Sequence, residues 1–229
     1  MPGRCAVAIS LAMPDFARAR LNMVESQIRT NKVTDPAVLA AFSEVPREAF
    51  VDPALRGVAY IDEDLPLKPG RFLIEPMVVA RMIQALDVQP TDLVLDVGCA
   101  TGYSTAVLAR LAKRVVAVEC DKNLAAQARE LLQEAGAANA IVVEGRLGAG
   151  VPDEGPFDAI LLNGAVTTIE PGLLEQLKEG GRLTAVVTEG PVCRASVWRR
   201  VGKSFDARSA FEAGAAALPG FESPAGFVF

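Results

Sequence analysis

Apolar residues recur along this chain with two different periods, and the change falls near residue 90. Before that point they show helical spacing, as in Leu21, Val24 and Ile28. The spacing predicts helices over Ala17–Arg29, from Asp35-Pro36 to Val45-Pro46, and over Pro76–Leu86. Residues 51–75 are rich in Pro, Gly and Asp, which predicts loops with short strands.

After residue 92 short, almost continuously apolar runs alternate with helical segments. The predicted strands are Leu93–Val97, Val115–Glu119, Ala140–Val143, Phe157–Leu162 and Arg182–Thr188. The predicted helices between them are Ser104–Leu111, Lys122–Ala135 and Pro171–Lys178. Such alternation is typical of a mostly parallel sheet with helices on both faces. We expect closing strands at Cys193–Val201 and Gly220–Phe229, with a loop or short helix over Ala210–Pro219.

The first of these strands leads into a glycine-containing turn. Leu93–Val97 contains Asp96 near its end, and Gly98 and Gly102 follow before the next helix. A second acid, Glu119, ends the next apolar run, 21 residues after Gly98. A strand, a tight turn, a helix, a strand and a spaced acid are typical of a Rossmann-like nucleotide site, in which the acid binds ribose hydroxyls.

The spacing of the glycines argues against a dinucleotide. Ala100 and Tyr103 stand where the Gly-x-Gly-x-x-Gly fingerprint requires its second and third glycines. The remaining Gly98 and Gly102 suit a ligand that needs close backbone approach but brings no phosphates. This turn resembles the first motif of the S-adenosylmethionine (SAM) methyltransferases. The alternative is an ordinary strand-turn-helix of an α/β protein.

Composition narrows the class of protein further. Hydrophobic residues make up 51% of the 229 residues and charged residues 22%, which excludes global disorder and supports one large α/β domain with an appendage. The net charge of −5 disfavours a nucleic-acid partner, because such binding needs clustered Lys and Arg. The chain contains no apolar run of transmembrane length, so a membrane partner is not expected.

Cysteine and histidine usage limits the chemistry. The 4 cysteines show no paired spacing, so we expect no metal site, no disulfide framework and a cytoplasmic location with reduced thiols. There is no histidine, which excludes His-ligated metals and His-based triads. The apolar run Cys5–Met13 is short for a signal peptide, and residues 1–14 are expected to form a flexible extension with a second possible start at Met13.

Further motifs lie in order on both sides of the turn. They are Met23-Val-Glu-Ser-Gln-Ile28, Asp35-Pro-Ala-Val-Leu39, Val45-Pro-Arg47, Phe50-Val51, Ala59-Tyr60, Asp64-Leu-Pro-Leu67, Pro76, Phe157-Asp-Ala-Ile160 and the run from Leu174 to Leu183. In this order they resemble the protein-L-isoaspartate O-methyltransferase family, over some 160 residues. The chain is identified as a divergent member of that family.

The resemblance implies transfer of a methyl group from SAM to the carboxylate of an isoaspartyl residue in a damaged protein or peptide. A carboxylate is already ionised at neutral pH, since its ordinary pKa is about 3.5–4. The reaction therefore needs no general base, and catalysis is mostly alignment of an oxygen with the methyl carbon. This chemistry suits a chain without histidine. The resemblance also implies that residues 15–90 form a helical and loop subdomain on the substrate side, and residues 91–229 the SAM-binding domain.

The resemblance assigns a set of roles to residues of this chain. Around SAM it places Asp96, Gly98, Ala100, Thr101, Gly102, Tyr103, Glu119, Cys120, Glu144, Gly145 and Arg146. Around the acceptor it places Tyr60, Leu73, Pro76 and Asn163, with Ile74 and Glu75 at the catalytic position. Three alternatives stay open: Asp96 as a cap of the turn, Glu119 as a solvated acid at a strand end, and Tyr103 as a cover of the helix start.

The chain departs from the family pattern at three positions. Ile74 stands in Phe72-Leu-Ile-Glu-Pro76 where the family has a serine or threonine that assists the substrate carboxylate, and an isoleucine donates no hydrogen bond. Glu75 follows directly, and its charge would repel an anionic substrate unless it points to solvent. Arg146 replaces an aspartate expected near the adenine, and Glu144 substitutes for it only in a shifted register.

These departures keep two other functions open. One is a SAM-dependent methyltransferase whose acceptor has changed, since Ile74 favours a more apolar acceptor pocket. The other is a SAM-binding or interaction protein whose catalysis is impaired. The fold alone does not choose among them, because function resides in the site.

Overall fold

The N-terminal part is built from short helices. The structure is a computed structural model that describes residues 15–190 and 192–221. Helix α1 (Phe16–Met23) is capped by Asp15 and continues through a wider turn over Val24–Ile28. Helix α2 (Pro36–Glu44) starts where predicted, because the Asp35 carboxylate accepts hydrogen bonds from the N–H groups of Ala37 and Val38.

The segment before the main sheet contains two short helical turns and one hairpin. The turns are Arg47–Phe50 and Pro53–Val58, and the hairpin pairs β1 (Leu65–Lys68) with β2 (Arg71–Leu73) in antiparallel fashion. Helix α3 (Pro76–Leu86) follows, with Pro76 at its first turn. These elements confirm the predicted helices and short strands before residue 90.

A seven-stranded sheet forms the centre of the structure. In chain order its strands are β3 (Leu93–Val97), β4 (Arg114–Glu119), β5 (Ala140–Glu144), β6 (Phe157–Val166), β7 (Leu177–Glu189), β8 (Val192–Val201) and β9 (Ser204–Glu212). In space their order is β5-β4-β3-β6-β7-β8-β9. Strands β3 to β7 pair in parallel, and β8 and β9 are antiparallel additions. The predicted mostly parallel, seven-stranded sheet is confirmed.

The two faces of the sheet carry different covers. The face bearing Val94, Val115 and Leu161 packs on α2, α3, α4 (Tyr103–Ala109) and α5 (Lys122–Glu134). The apolar side chains between them form the first core. The face bearing Leu95, Val116 and Ile160 packs on the four-residue helix α6 (Pro171–Leu174), on the short helical turn Leu147–Ala149, and on Val151, Leu218 and Phe221, which together form the second core. A segment without regular structure near the end of the chain therefore completes the second core.

Two predicted elements differ from those in the structure, one in its end and one in its position. The helix predicted over Pro171–Lys178 stops at Leu174, because Leu177 already pairs with Phe157 and belongs to β7. The seventh strand is Ser204–Glu212 rather than Gly220–Phe229, of which residues 222–229 lie outside the described part and Gly220 and Phe221 are not in a strand. Residues 210–212 end β9, and residues 213–219 form the predicted loop.

The parallel strands bring the predicted polar residues to one edge. In parallel pairing the carboxyl ends of neighbouring strands lie side by side, and here Val97 pairs with Val118 and Leu162, while Glu119 pairs with Glu144. Ligands of open α/β sheets bind in the crevice at this edge. Within the described ranges, no helix has the length and apolar character needed to cross a membrane.

Candidate active site

A turn of unusual backbone conformation leads from β3 to α4. The φ angles of Gly98, Ala100 and Gly102 are +79°, +51° and +95°. The Gly98 N–H donates to the Val118 carbonyl oxygen at 2.8 Å, which ties the turn to the end of β4. A Cβ at Gly102 would lie 3.2 Å from Leu132 Cγ in a left-handed conformation, so glycine is the residue that suits this position.

The side chain of Asp96 connects the end of β3 to the start of α4. Its side chain is fully buried, and its Oδ2 accepts hydrogen bonds from the hydroxyls of Ser104 and Thr105, each at 2.7 Å. Burial raises the pKa of Asp96 to about 6, although these two hydroxyls work in the opposite direction. Its Oδ1 is buried without a hydrogen-bond partner among the described residues, so an acceptor is available there for a ligand donor.

Glu119 lies at the end of β4, and its carboxylate connects this strand end to the turn that follows β3. Its carboxylate is fully buried, not solvated. Oε2 accepts from the Ala100 N–H at 2.7 Å, and Oε1 accepts from the N–H groups of Cys120 and Asp121 at 3.0 and 3.1 Å. Three backbone donors hold the acid in the position where a ribose-binding acid is expected.

Two side chains from other parts of the chain contact Glu119 and the turn. Arg71, in β2, forms an ion pair with the Glu119 Oε2, and its Nη2 also donates to the Gly98 carbonyl oxygen at 3.1 Å. Leu218 packs so closely on Gly98 that a Cβ there would lie 2.5 Å from its Cδ2. The donor and acceptor set fits SAM, and Arg71 and Leu218 contact members of that set.

Asn163 connects the neighbouring strand to the same turn. Its Nδ2 donates to the Ser104 hydroxyl at 2.9 Å and to the Gly98 carbonyl oxygen at 3.4 Å. Asn163 is buried in β6, directly after Leu162, which pairs with Val97 at the end of β3. The structure therefore brings Asp96, Gly98, Ala100 and Glu119, which the resemblance places around SAM, next to Asn163, which it places around the acceptor.

The segment from Leu73 to Pro76 follows Arg71 along the chain and leads from β2 into α3. Leu73 and Ile74 are buried in the first core, and Pro76 begins α3. A fully buried guanidinium fixes the segment: Arg47 donates from Nη2 to the Ile74 carbonyl oxygen and from Nε to that of Ala59, each at 2.8 Å. Ile74 itself brings no hydrogen-bond donor on its side chain.

Glu75 lies in an acidic environment. It is half-buried, and its N–H donates to Asp64 Oδ1 at 2.8 Å. Burial, followed by repulsion from Asp62, Asp64 and Glu63, raises the pKa of Glu75 to about 7. Near neutral pH this carboxyl is therefore about half protonated, which weakens the repulsion expected from the sequence.

Other predicted site residues point elsewhere. Thr101 donates its hydroxyl to the Phe50 carbonyl oxygen at 2.7 Å, and Tyr103 packs in the first core beneath the Arg47 guanidinium, which lies 4.9 Å from its ring centre. Tyr103 thus packs at the start of α4. This is one of the two roles considered for it, the other being contact with SAM. The Tyr60 hydroxyl donates to Glu48 in the N-terminal part.

Four of the predicted cofactor-binding residues, Cys120, Glu144, Gly145 and Arg146, lie at the ends of β4 and β5 and are exposed or half-buried. Arg146 is exposed and pairs with Glu170, its Nη2 lying 3.1 Å from the carboxylate. Glu144 is exposed at the end of β5, while the Gly145 N–H donates to the Glu119 carbonyl oxygen at 3.0 Å. Cys120 is also exposed, beside Glu119. These four residues rim the strand edge from the side opposite Asn163.

Four residues that contact Asp96, Gly98 or Glu119 were not predicted from the sequence. The hydroxyls of Ser104 and Thr105 were visible as polar residues at a helix start following an acid. Arg71 and Leu218 gave no such signal, because only the fold brings β2 and the loop after β9 onto the turn. Among the described residues, no cluster of three or more acids or cysteines suits a metal ion.

The fold and the strand-end acids define a Rossmann-like methyltransferase that uses SAM, and comparison with known proteins gives its family. A model of the protein-L-isoaspartate(D-aspartate) O-methyltransferase family matches residues 18–210. The protein-L-isoaspartate O-methyltransferase of Methylorubrum extorquens is 46% identical over 194 residues, 83% of this chain and 82% of that protein. One from Syntrophobacter fumaroxidans is 44% identical over 177 residues, 76% of this chain and 82% of that protein. The chain belongs to the protein-L-isoaspartate O-methyltransferase family.

Solved structures agree with the fold. One protein-L-isoaspartate O-methyltransferase superimposes with a TM-score of 0.77 at 24% identity, covering 89% of this chain and 66% of that one. A Plasmodium falciparum structure described as an enzyme of this type, in complex with S-adenosyl-L-homocysteine, gives 0.75 at 18% identity, covering 87% and 97%. The predicted fold class and family are both confirmed.

Proposed function

We propose that this chain transfers the methyl group of SAM to the carboxylate of isoaspartyl residues in damaged proteins or peptides. The observation that carries the proposal is the position of Glu119: a buried acid at the end of β4, joined to the Ala100 N–H of the preceding turn at 2.7 Å. This is the position of a ribose-binding acid in a nucleotide site. Membership of the family supplies the reaction and the class of acceptor.

The chain's own residues supply binding and alignment. SAM, when bound, supplies an electrophilic methyl group on a sulfonium. Glu119 would accept hydrogen bonds from the ribose hydroxyls, and the free Oδ1 of Asp96 would accept one from the amino group. Gly98 and Gly102 allow the backbone to approach the cofactor closely. No residue is needed to remove a proton, because the acceptor carboxylate is already ionised at neutral pH.

Ile74 determines how well the acceptor is held. At the position where the family uses a hydroxyl, this side chain is apolar, so backbone groups would have to orient the carboxylate. Loss of one such donor lowers the rate by about 10²–10³ at a comparable site. We therefore expect slow transfer to isoaspartyl peptides. A changed acceptor is the second candidate, and the absence of a hydrogen-bond donor on the Ile74 side chain favours it.

Labelled-methyl transfer tests the acceptor. The assay compares a peptide that contains one isoaspartyl residue with its aspartyl twin, so that the two differ only in the position of the carboxylate. The proposal expects transfer to the first peptide alone. If both peptides remain unlabelled while S-adenosylhomocysteine binds in a titration, the acceptor has changed or catalysis is impaired.

A cytoplasmic location and a protein partner complete the proposal. The cysteines in the described part of the chain, Cys99, Cys120 and Cys193, are free thiols, as suits a reducing compartment. The acceptor follows from the family. Net negative charge gives no support to a nucleic-acid partner.

A further inference from the structure

The ribose-binding acid of this chain already has an internal partner. Arg71 is 5% exposed and Glu119 is fully buried, and the two form an ion pair inside the cleft. The same Arg71 Nη2 donates to the Gly98 carbonyl oxygen at 3.1 Å. Arg71 thus occupies the carboxylate that would bind the ribose hydroxyls and joins it to the turn.

A second contact closes the cleft from the end of the chain. Residues 213–221, here called the C-terminal strap, cross the carboxyl ends of β3 and β6. Leu218 of the strap is 1% exposed and lies over Gly98 and Gly164, where an added Cβ would meet it at 2.5 and 2.6 Å. Both glycines are therefore needed for Leu218 to lie where it does.

A few hydrogen bonds hold the strap. The Leu218 N–H donates to the Ala165 carbonyl oxygen, and the Ala165 N–H to that of Ala216, each at 2.8 Å. The Ala216 N–H donates to Asp64 Oδ2 at 3.0 Å, and the Thr167 hydroxyl donates to the Phe221 carbonyl oxygen at 2.6 Å. Opening of the strap breaks these hydrogen bonds and exposes Leu218 and Phe221, while the strands of the sheet stay paired.

The closed arrangement leaves polar atoms without partners. Arg71 Nε and Asp96 Oδ1 are both buried and make no hydrogen bond among the described residues. Each such atom carries an unrecovered desolvation cost. A cavity of about 280 Å³ lies directly outside Arg71, lined by Lys68, Gly70, Cys120, Asp121 and Pro219. It opens between the hairpin and the strap, next to the Glu119 carboxylate.

We infer that Arg71 and Leu218 form an internal plug of the SAM site, and that SAM binds only when both leave it. The inference rests on the proposed function. The plug competes with the cofactor for Glu119 and for the surface of Gly98, so the measured affinity is the intrinsic affinity multiplied by the open fraction. The Arg71–Glu119 pair and the strap therefore set how readily this chain takes up its cofactor.

Titration with S-adenosylhomocysteine tests the plug in the full-length chain. Arg71→Ala and Leu218→Ala should each tighten binding, by about tenfold or more if the closed form dominates. Glu119 keeps three backbone donors in the first variant, so the fold should persist, which circular dichroism checks. Arg114→Ala, which removes an exposed arginine paired with Glu154, is the matched control and should leave the Kd unchanged.

Hydrogen exchange of the wild type supplies a readout that needs no variant. Saturating S-adenosylhomocysteine should speed exchange of the Leu218 amide by about tenfold or more, because its bond to Ala165 breaks when the strap leaves. Tighter binding by both variants together with this loss of protection supports the plug. Equal Kd values, or binding with the Leu218 amide still protected, overturn the plug and leave the proposed function standing. Absence of binding by the wild type and by both variants overturns both proposals.

Discussion

Arg47 Nη2 donates a hydrogen bond to the Ile74 carbonyl oxygen across 2.8 Å, and both side chains are buried. This bond connects the helical turn Arg47–Phe50 to the segment between β2 and α3. The Arg47 guanidinium also satisfies the Ala59 carbonyl oxygen and lies over the Tyr103 ring. Desolvation lowers the pKa of Arg47, with the neighbouring Tyr103 opposing the change.

Replacement of Arg47 by Met should destabilise the fold and loosen the Ile74 segment. Two buried carbonyl oxygens lose their donor, at about 1–3 kcal/mol for each unsatisfied group. We expect the free energy of unfolding, measured with urea, to fall by about 2–5 kcal/mol. Arg114→Met should change it by less than about 0.5 kcal/mol, since that arginine is exposed. A loss no larger than that of the control would contradict a structural role for Arg47.

Replacement of Ile74 by Ser should increase transfer to isoaspartyl peptides. The serine hydroxyl restores a donor at the position where the family has one, and such a donor is worth about 10²–10³ in rate. Labelled-methyl transfer at saturating SAM measures the gain. Ile74→Val removes a methylene group without adding a donor and controls for the change in packing. Equal rates for the serine and valine variants would show that a hydroxyl at this position does not assist the acceptor.

Much of the fold follows from apolar patterns. Strands β3, β4 and β6 are continuous apolar runs buried on both faces, so their positions are visible in the sequence. Strand β9 is not visible, because Ser204–Glu212 is an edge strand with mostly exposed residues such as Asp206 and Arg208. The predicted end of α6 was wrong because pairing of Leu177 with Phe157 overrides helical propensity.

The candidate site, like the fold, contains some residues that local sequence patterns predict and others that they do not. Asp96, Gly98 and Glu119 lie at fixed distances along one strand-turn-helix-strand unit, so local spacing predicts that they meet. Arg71 and Leu218 reach this unit only through tertiary structure. The direction of the Tyr103 side chain also depends on packing, in this case against Phe42, Phe50 and Arg47. Local patterns therefore predict the acids of the site and not the side chains that cover them.

Glu75 should make stability fall as the pH rises. Burial and three neighbouring acids raise its pKa from the ordinary 4.5 to about 7 in the folded chain. Between these values the folded state binds a proton that the unfolded state has released, so increasing pH opposes folding. Glu75→Gln should remove this contribution, and its urea midpoint should decrease less than that of the wild type between pH 5 and pH 8.

The control for this effect is an acid on the surface. Glu134→Gln changes the same functional group at an exposed position of α5 and should follow the pH profile of the wild type. Parallel profiles for Glu75→Gln and the wild type would contradict a protonated Glu75 in the folded state.

Asp96 should make cofactor binding depend on pH in the opposite direction. Burial raises its pKa to about 6, so the carboxylate that would accept a hydrogen bond from the cofactor's amino group becomes protonated as the pH falls through that value. We expect the Kd for S-adenosylhomocysteine to increase between pH 7.5 and pH 5, because a protonated acid is a poorer partner for an ammonium group.

Two variants test whether Asp96 causes this pH dependence. Asp96→Asn should bind S-adenosylhomocysteine weakly at both pH values and show a flat profile. Ser104→Ala removes one hydroxyl donor to the Asp96 Oδ2 and should move the onset of the decline to higher pH, since that hydrogen bond stabilises the ionised form. A Kd that stays constant in the wild type across this range would exclude Asp96 as a partner of the cofactor.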